Sequence, residues 1–339
     1  MYLLSIIIPL YNASKVIKNT LDNLLLGGDL FTNNVELLLV DDGSKDDTEE
    51  VVKEYVKKYQ NIIYFKKENE GVAKARNFGV NHASGKYLFF HDQDDVFEIS
   101  NLEKILNILK NGDSNLYLFN ADQIIDGNRK DFVVTNPSFE GDQKEIRESL
   151  FRSFSWSNSN KGAVNLYNQI WSVIIDRDFF IKNNCWFERF VAFEDDFICL
   201  LKVLVASPKV FISDLTIYHW IITSSSYSHS YVYDGVYLSK LPNYLSFLHE
   251  TLSHSEFNEI KDSFLSVLER HKYLKFVLWF SNNRKGRKEF VKLCRQYDVG
   301  KHIADNSPVK ERFRSKVINS LFRSRMYSLI YFLYRNKKE

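Results

Sequence analysis

Three aspartates fall within four positions of the stretch FFHDQDDVFE, at Asp92, Asp94 and Asp95. Two more acidic clusters stand elsewhere, Asp41-Asp42 in VDDGSKDDT and Glu194-Asp195-Asp196 in FEDD. Carboxylates repel phosphate, so an acidic cluster serves a phosphate ester only through a divalent cation. Mg²⁺ or Mn²⁺ prefers carboxylate and water oxygens and keeps positions open for a diphosphate, and HDQDD is read as the seat of such a cation. Capping competes with that reading, since Asp94 and Asp95 could cap the next helix while Asp92 is solvated. FEDD could also cap a helix or supply a general base, and both roles can coexist.

The familiar backbone cradles for phosphate are missing. No GxGxxG follows the first apolar run, which argues against a dinucleotide fold. GVNHASGK (79 to 86) has five residues between its glycines and Tyr87 where a P-loop needs Ser or Thr.

The chain has 339 residues and is 45% hydrophobic, enough to bury a core in one large or two modest domains. Its charge is lopsided: residues 1 to 269 hold 26 Lys+Arg against 38 Asp+Glu, and residues 270 to 339 hold 19 against 5. The acidic part suits cations and the basic part an anionic surface; no nucleic-acid partner is indicated. Cys185, Cys199 and Cys294 lack metal-ligand spacing and are expected to be reduced structural thiols. MYLLSIIIPLYN does not read as a signal peptide, and no apolar run approaches the roughly 20 residues of a spanning helix. The default compartment is the cytoplasm.

The elements that must position these residues follow from periodicity. LLSIIIP (3 to 9), VELLLV (35 to 40), IIYF (62 to 65) and KYLFF (86 to 90) read as strands. Helical stretches at 14 to 26, 46 to 59 and 72 to 82 lie between them. That alternation predicts an α/β sheet of mostly parallel strands flanked by helices. Ligands bind beyond the carboxyl ends of such strands, where Tyr11 and Asn12, Asp41 and Asp42, and the Asp92 cluster all fall. Residues 145 to 200 read as irregular structure feeding a helix near Asp196, and the pattern from about 236 onward is helical.

Taken together, SIIIPLYNA, VDDGSKDDT, ENEGVAKARNFGV, GKYLFFHDQDD, Trp171, and FEDD followed by YHWIITSSSYS resemble, in content and order, the inverting family-2 glycosyltransferases of the GT-A fold. The resemblance covers about residues 3 to 230. It implies a GT-A domain over 1–235 and, beyond it, a helical, basic region over 236–339. It also implies transfer of a sugar from a UDP-sugar to a hydroxyl of a glycan acceptor, with inversion and dependence on Mn²⁺ or Mg²⁺. A nucleotidyltransferase that makes sugar nucleotides is an alternative, although PLYNAS stands where its glycine- and basic-rich loop belongs; an inactive binding module is another.

By this resemblance Pro9 and Tyr11 shape and stack against the nucleotide base, and Asp41 and Asp42 hold base and ribose, unless VDDGS is a plain turn. Lys74 and Arg76 would approach the donor diphosphate at a helix start, or lie on a solvated helix face. Asp92, Gln93 and Asp94 match the DxD motif, with Asp94 the better metal ligand and Asp92 on the ribose or a metal-bound water. His91 replaces the usual Leu and is expected to pack beside the strand. Asp195 is the expected base, with Glu194 and Asp196 as alternatives. His219 and the Ser224 to Ser226 loop match a segment that closes over the phosphates, where a histidine is in some relatives a further metal ligand. Trp171 and Trp186 suit either acceptor stacking or core packing.

Residues 309 to 339 hold nine Lys+Arg and two Glu beside Phe313, Val317, Leu321, Phe322 and YSLIYFLY. An apolar stripe with basic flanks predicts peripheral contact with an anionic membrane, at the inner face of the cell membrane where a lipid-linked acceptor would lie; a packed terminal helix is the alternative.

Overall fold

In the computed structural model of this chain the described residues are 1–125, 127–135, 142–153, 164–165, 170–188, 195–222, 232–253, 255, 257–283, 286–306 and 313–335. They fall into two compact units, one reaching Ile222 and one starting at Val232.

The first unit is organised on a sheet of ten strands. β1 (Leu4–Leu10) and β2 (Val35–Asp41) are buried along their whole length, as strands covered on both faces must be. β3 (Ile62–Lys66) and β4 (Tyr87–Phe90) complete an all-parallel half in the order β3-β2-β1-β4. Helices Ile17–Leu25, Thr48–Lys58 and Val72–His82 connect these strands. Gly79 lets the last of them lie against β1, because a Cβ there would stand 2.5 Å from Ile7 Cγ2.

The second half of the sheet is mixed. β5 (Val96–Phe97), β6 (Leu116–Ile125), β7 (Asn128–Thr135), β8 (Val164–Asn165), β9 (Val173–Asp176) and β10 (Val210–Ile222) continue the order as β4-β9-β6-β10-β5, with β7 on β6 and β8 on β7. β9 runs antiparallel to both β4 and β6, whereas β10 runs parallel to β6. The described residues of the stretch from 145 to 200 are therefore more regular than their sequence indicates. Beyond β9 it holds helix Arg177–Lys182, capped by Asp176, whose carboxylate accepts from the Phe179 N–H at 2.7 Å, and the start of helix Asp195–Ala206.

Described by itself, the second unit is helical: Gly235–Ser253, Asn258–Asn282, Arg287–Gln296, Val299–Asp305, Phe313–Arg323 and Tyr327–Tyr334. Phe276, Phe280 and Phe290 pack in its core, and Tyr331 meets Phe290 with ring centroids 5.4 Å apart. Of the i, i+4 stripe at Phe313, Val317 and Leu321, Val317 is exposed and Leu321 half-buried, the Phe313 side chain lies outside the described residues, and Phe322 is the buried anchor. All three cysteines are buried and free. Among the described residues no helix is long and apolar enough to cross a membrane.

Candidate active site

Because β1, β2 and β4 are parallel, their carboxyl ends share one rim, and hydrogen bonds join the segments that follow. Tyr11 N–H donates to Gln93 Oε1 at 2.9 Å and Gln93 Nε2 donates back to the Tyr11 carbonyl at 3.3 Å. The loop after β1 and the aspartate loop after β4 are thus fastened together. The Tyr11 ring is exposed, and Pro9 is buried within β1, opposite Val40.

The two aspartates after β2 have separate structural partners. Asp41 accepts from the Ser44 N–H (2.7 Å) and the Tyr64 hydroxyl (2.6 Å), and burial together with that carboxylate pushes the Tyr64 phenol upward. Asp42 accepts from Lys67 Nζ (2.8 Å) and from the backbone N–H groups of Glu70 (3.0 Å) and Gly71 (2.7 Å), so it fixes the loop that opens helix Val72–His82. Gly43 has φ +80°, and a Cβ there would stand 3.0 Å from the Asn69 nitrogen; only glycine makes this turn without strain.

Arg76 lies on the buried face of that helix. One guanidinium nitrogen is 2.9 Å from Asp92 and the other bonds Asp196, while the group sits 5.3 Å from the centroid of the Phe187 ring. Phe187 is held in turn by reciprocal bonds of its backbone with the Asn77 amide, both 3.0 Å. Arg76 therefore connects the aspartate loop to the acidic start of helix Asp195–Ala206. Lys74, on the same helix, is exposed and makes no ion pair among the described residues. Glu194 and the Asp195 side chain lie outside the described residues, as does the Ser224 to Ser226 loop; the Asp195 backbone opens the helix.

The three aspartates of HDQDD do different things. Asp95 is buried, accepting from the Tyr218 hydroxyl (2.5 Å) and the Ile221 N–H (2.8 Å), and burial plus the Asp92 charge pushes its carboxyl well up. It is a tie to β10 rather than a helix cap. The Asp92 N–H donates to the hydroxyl of the same Tyr218 at 3.2 Å. Asp94 is exposed at its tip, and its carboxylate accepts no bond from another residue among the described residues. Burial by the surrounding protein and the neighbouring Asp92 charge raise its carboxyl above the ordinary range.

His91 is buried in the core, its Nδ1 donating to the Asp92 carbonyl at 2.7 Å, and burial pushes its imidazole down to about 4. His219 is not brought to the aspartate loop. Side chains alternate along β10, so Tyr218 faces Asp92 and Asp95 while His219 faces the other side of the sheet. There its Nε2 meets Glu98 at 3.0 Å and its Nδ1 lies 3.2 Å from Asp122. Trp171 is a core residue, stacked on Tyr218 with centroids 4.6 Å apart, and half-buried Trp186 packs edge-on against Phe180.

Among the described residues no group of three or more His, Cys, Asp or Glu side chains could hold a metal by itself. Asp94, together with the partly exposed Asp92, offers two hard oxygen donors, which fits Mg²⁺ or Mn²⁺ completed by phosphate and water oxygens. Tyr64, Lys67, Phe187 and Tyr218 escaped the sequence reading because each supports a partner distant along the chain.

Comparison with known proteins agrees with this architecture. Over 107 residues the chain is 38% identical to the minor teichoic acid biosynthesis protein GgaB of Bacillus subtilis, covering 31% of this chain and 12% of that protein. Over 201 residues it is 29% identical to the processive diacylglycerol beta-glycosyltransferase of Mycoplasma genitalium, covering 57% of this chain and 56% of that one. The matches thus span 12% of the first relative's length and 56% of the second's. Among solved structures, residues 1–349 of S. aureus TarS in complex with UDP-GlcNAc superpose with a TM-score of 0.66 at 18% identity, covering 98% of this chain and 91% of that one, which shows a shared fold. Residues 5–167, a little under half of the chain, match the model for glycosyl transferase family 2, and that segment reads as a family 2 glycosyltransferase domain.

Proposed function

We propose that this protein transfers a sugar from a UDP-sugar to a hydroxyl of a glycan acceptor, with inversion at the anomeric carbon. The observation that carries the reading is Arg76, which bonds Asp92 of the aspartate loop and Asp196 of the acidic helix start. It supports a single cleft with diphosphate-suited carboxylates on one side and a base on the other. The exposed Tyr11 ring stacks on the uracil, and the Asp42-held loop from Lys67 to Gly71 closes the base seat. Asp94 and Asp92 would hold Mn²⁺ or Mg²⁺, which would supply charge neutralisation for the departing diphosphate. Asp195 accepts the proton of the attacking hydroxyl, which a carboxylate does best as that proton becomes acidic in the transition state. Arg76, sharing its charge between Asp92 and Asp196, keeps the two sides in register.

The donor assignment is supported by the TarS complex with UDP-GlcNAc, and cell-surface polymer assembly by the name of the GgaB relative. An anionic membrane carrying a lipid-linked acceptor is the partner proposed for the basic second unit. Incubation with a panel of nucleotide sugars and Mn²⁺, scored by release of nucleoside diphosphate, tests the reading. Release of UDP from one or more UDP-sugars, dependent on an acceptor hydroxyl, is expected; a protein that binds UDP yet turns over no donor would overturn it.

A further inference from the structure

Helix Tyr327–Tyr334 is apolar around most of its circumference. Tyr327, Ile330, Tyr331 and Tyr334 face inward at the i, i+3, i+4, i+7 spacing of a buried stripe. Leu329, Phe332 and Leu333 occupy the opposite side and are exposed, and Met326, exposed too, extends that side by a turn. Phe332 is 53% exposed, a fraction a large ring keeps in water only at a cost.

The surroundings of this stripe are cationic. Arg287 lies over the Phe332 ring, 5.8 Å from its centroid. A cavity of about 200 Å³ opens beside the stripe between helices Arg287–Gln296 and Tyr327–Tyr334, lined by Val291, Arg295, Arg325, Ser328 and Leu329. Arg325 keeps a pairing with Asp298 at 3.0 Å, whereas Arg295 is exposed and has no ion pair among the described residues. A water-soluble protein partner would match an apolar stripe with apolar surface and the arginines with separate acids. A bilayer containing anionic lipid matches both in one plane, with acyl chains below and phosphates at the level of the arginines.

We propose that this face seats on an anionic lipid bilayer, with Leu329, Phe332 and Leu333 inserted at the headgroup boundary and Arg287, Arg295 and Arg325 on lipid phosphates, one of them at the mouth of the cavity. The proposal deepens the membrane reading given above by assigning it a surface. It does not depend on the sugar chemistry. Basic residues alone would give attachment that salt abolishes; the inserted side chains add a part that salt does not remove.

The test is sedimentation of the full chain with phosphatidylcholine vesicles, alone or containing about one-third phosphatidylglycerol, with UDP binding measured in parallel as a check on folding. The unaltered protein is expected to partition onto the anionic vesicles. Leu329→Ser, Phe332→Ser and Leu333→Ser combined are expected to lower partitioning tenfold or more at low salt, with UDP affinity unchanged. Arg295→Glu is expected to lower it fivefold or more, the equivalent of about 1 kcal/mol for each basic group lost from an anionic surface. Equal partitioning of the triple-serine variant and the unaltered protein would overturn the proposal. So would lipid-independent self-association of the unaltered protein that the triple-serine change abolishes, since that would make the stripe a protein interface. Loss of UDP binding by both proteins would count against the proposed donor and not against this surface.

Discussion

Arg76 and Asp92 form an ion pair of 2.9 Å across sixteen residues of sequence, and the second nitrogen of the same guanidinium holds Asp196 at the start of helix Asp195–Ala206. With 5% of its side chain exposed, Arg76 is a buried charge shared between two motifs, and its removal leaves two carboxylates facing each other. Arg76→Ala is accordingly expected to destabilise the first unit by about 3 kcal/mol, the usual result of breaking a buried pair.

The two aspartates at the start of helix Asp195–Ala206 are separable by their partners. Asp195→Asn is expected to lower turnover by roughly 10² to 10⁴-fold, as loss of a general base does, with the melting temperature and UDP affinity unchanged. Asp196→Asn removes the partner of Arg76 and is expected to lower both turnover and melting temperature. Urea denaturation beside steady-state kinetics distinguishes the two, and near-normal turnover in Asp195→Asn would remove it as the base.

A test for metal dependence divides Asp94 from His219. Chelation is expected to weaken UDP binding, and Asp94→Ala to weaken it similarly even with Mn²⁺ supplied. That substitution should leave stability within about 0.5 kcal/mol, because the carboxylate is exposed. His219→Gln should keep the Mn²⁺ dependence of UDP binding while lowering stability, since the ring is held between Glu98 and Asp122. Calorimetry on both variants checks this; loss of the metal dependence in His219→Gln would place that residue at the cation.

Glu36 is a buried carboxylate whose oxygens accept from the Ser5 hydroxyl, the Ser84 N–H and hydroxyl, and the Gly85 N–H, binding β1 and β2 to the turn before β4. Glu36→Leu takes the acceptor from the buried Ser5 hydroxyl and from the Ser84 N–H and leaves the Gly85 N–H with Ser5 Oγ alone, and is expected to cost about 3 kcal/mol, whereas Glu36→Gln keeps an acceptor and should cost less than about 1.5 kcal/mol. Equal losses in chemical denaturation would contradict this account.

Asp46 gives the stability a pH dependence. Burial alone would raise its carboxyl, but bonds from the Ser14 and Thr48 hydroxyls and N–H groups outweigh that and hold it at about 2, below its ordinary 3.8. A depressed folded value stabilises above the unfolded pKa, and the stabilisation is lost as pH falls from 3.8 toward 2. The stability difference between the protein and Asp46→Asn is therefore expected to be about 1 to 2 kcal/mol at pH 7, allowing for solvent screening, and to shrink between pH 4 and pH 2. A difference that stays constant over that range would refute the assignment.

The parallel half of the sheet was legible because its signals are local. The runs read as strands at 3–9, 35–40, 62–65 and 86–90 match β1 to β4 within one residue at either end, and the three helices read between them match within three, while helix Gly28–Asn34 between β1 and β2 was not read. The mixed half was not legible. β9 is only four residues long and is a strand because β4 and β6 flank it, a fact its own periodicity cannot carry. The same limit applies to the site. HDQDD announces carboxylates, but nothing within it tells Asp94, exposed, from Asp95, buried against Tyr218. Nor does GVAKARN show that Arg76 reaches Asp196 while Lys74 faces solvent.

The tie from Asp95 to Tyr218 and Ile221 spans 123 and 126 residues, which sets an order on the making of the molecule. Strands β1 to β4 can pair as soon as Phe90 has left the ribosome, since all their partners are already present. The aspartate loop waits for β10. At roughly 5 to 20 residues per second that interval lasts on the order of 6 to 25 s. During it the nascent chain holds a formed parallel sheet whose acidic loop is fastened to the loop after β1 but lacks its tie to Tyr218 and Ile221, so the seat of Asp95 is completed with β10 and not with the strand that carries the aspartates.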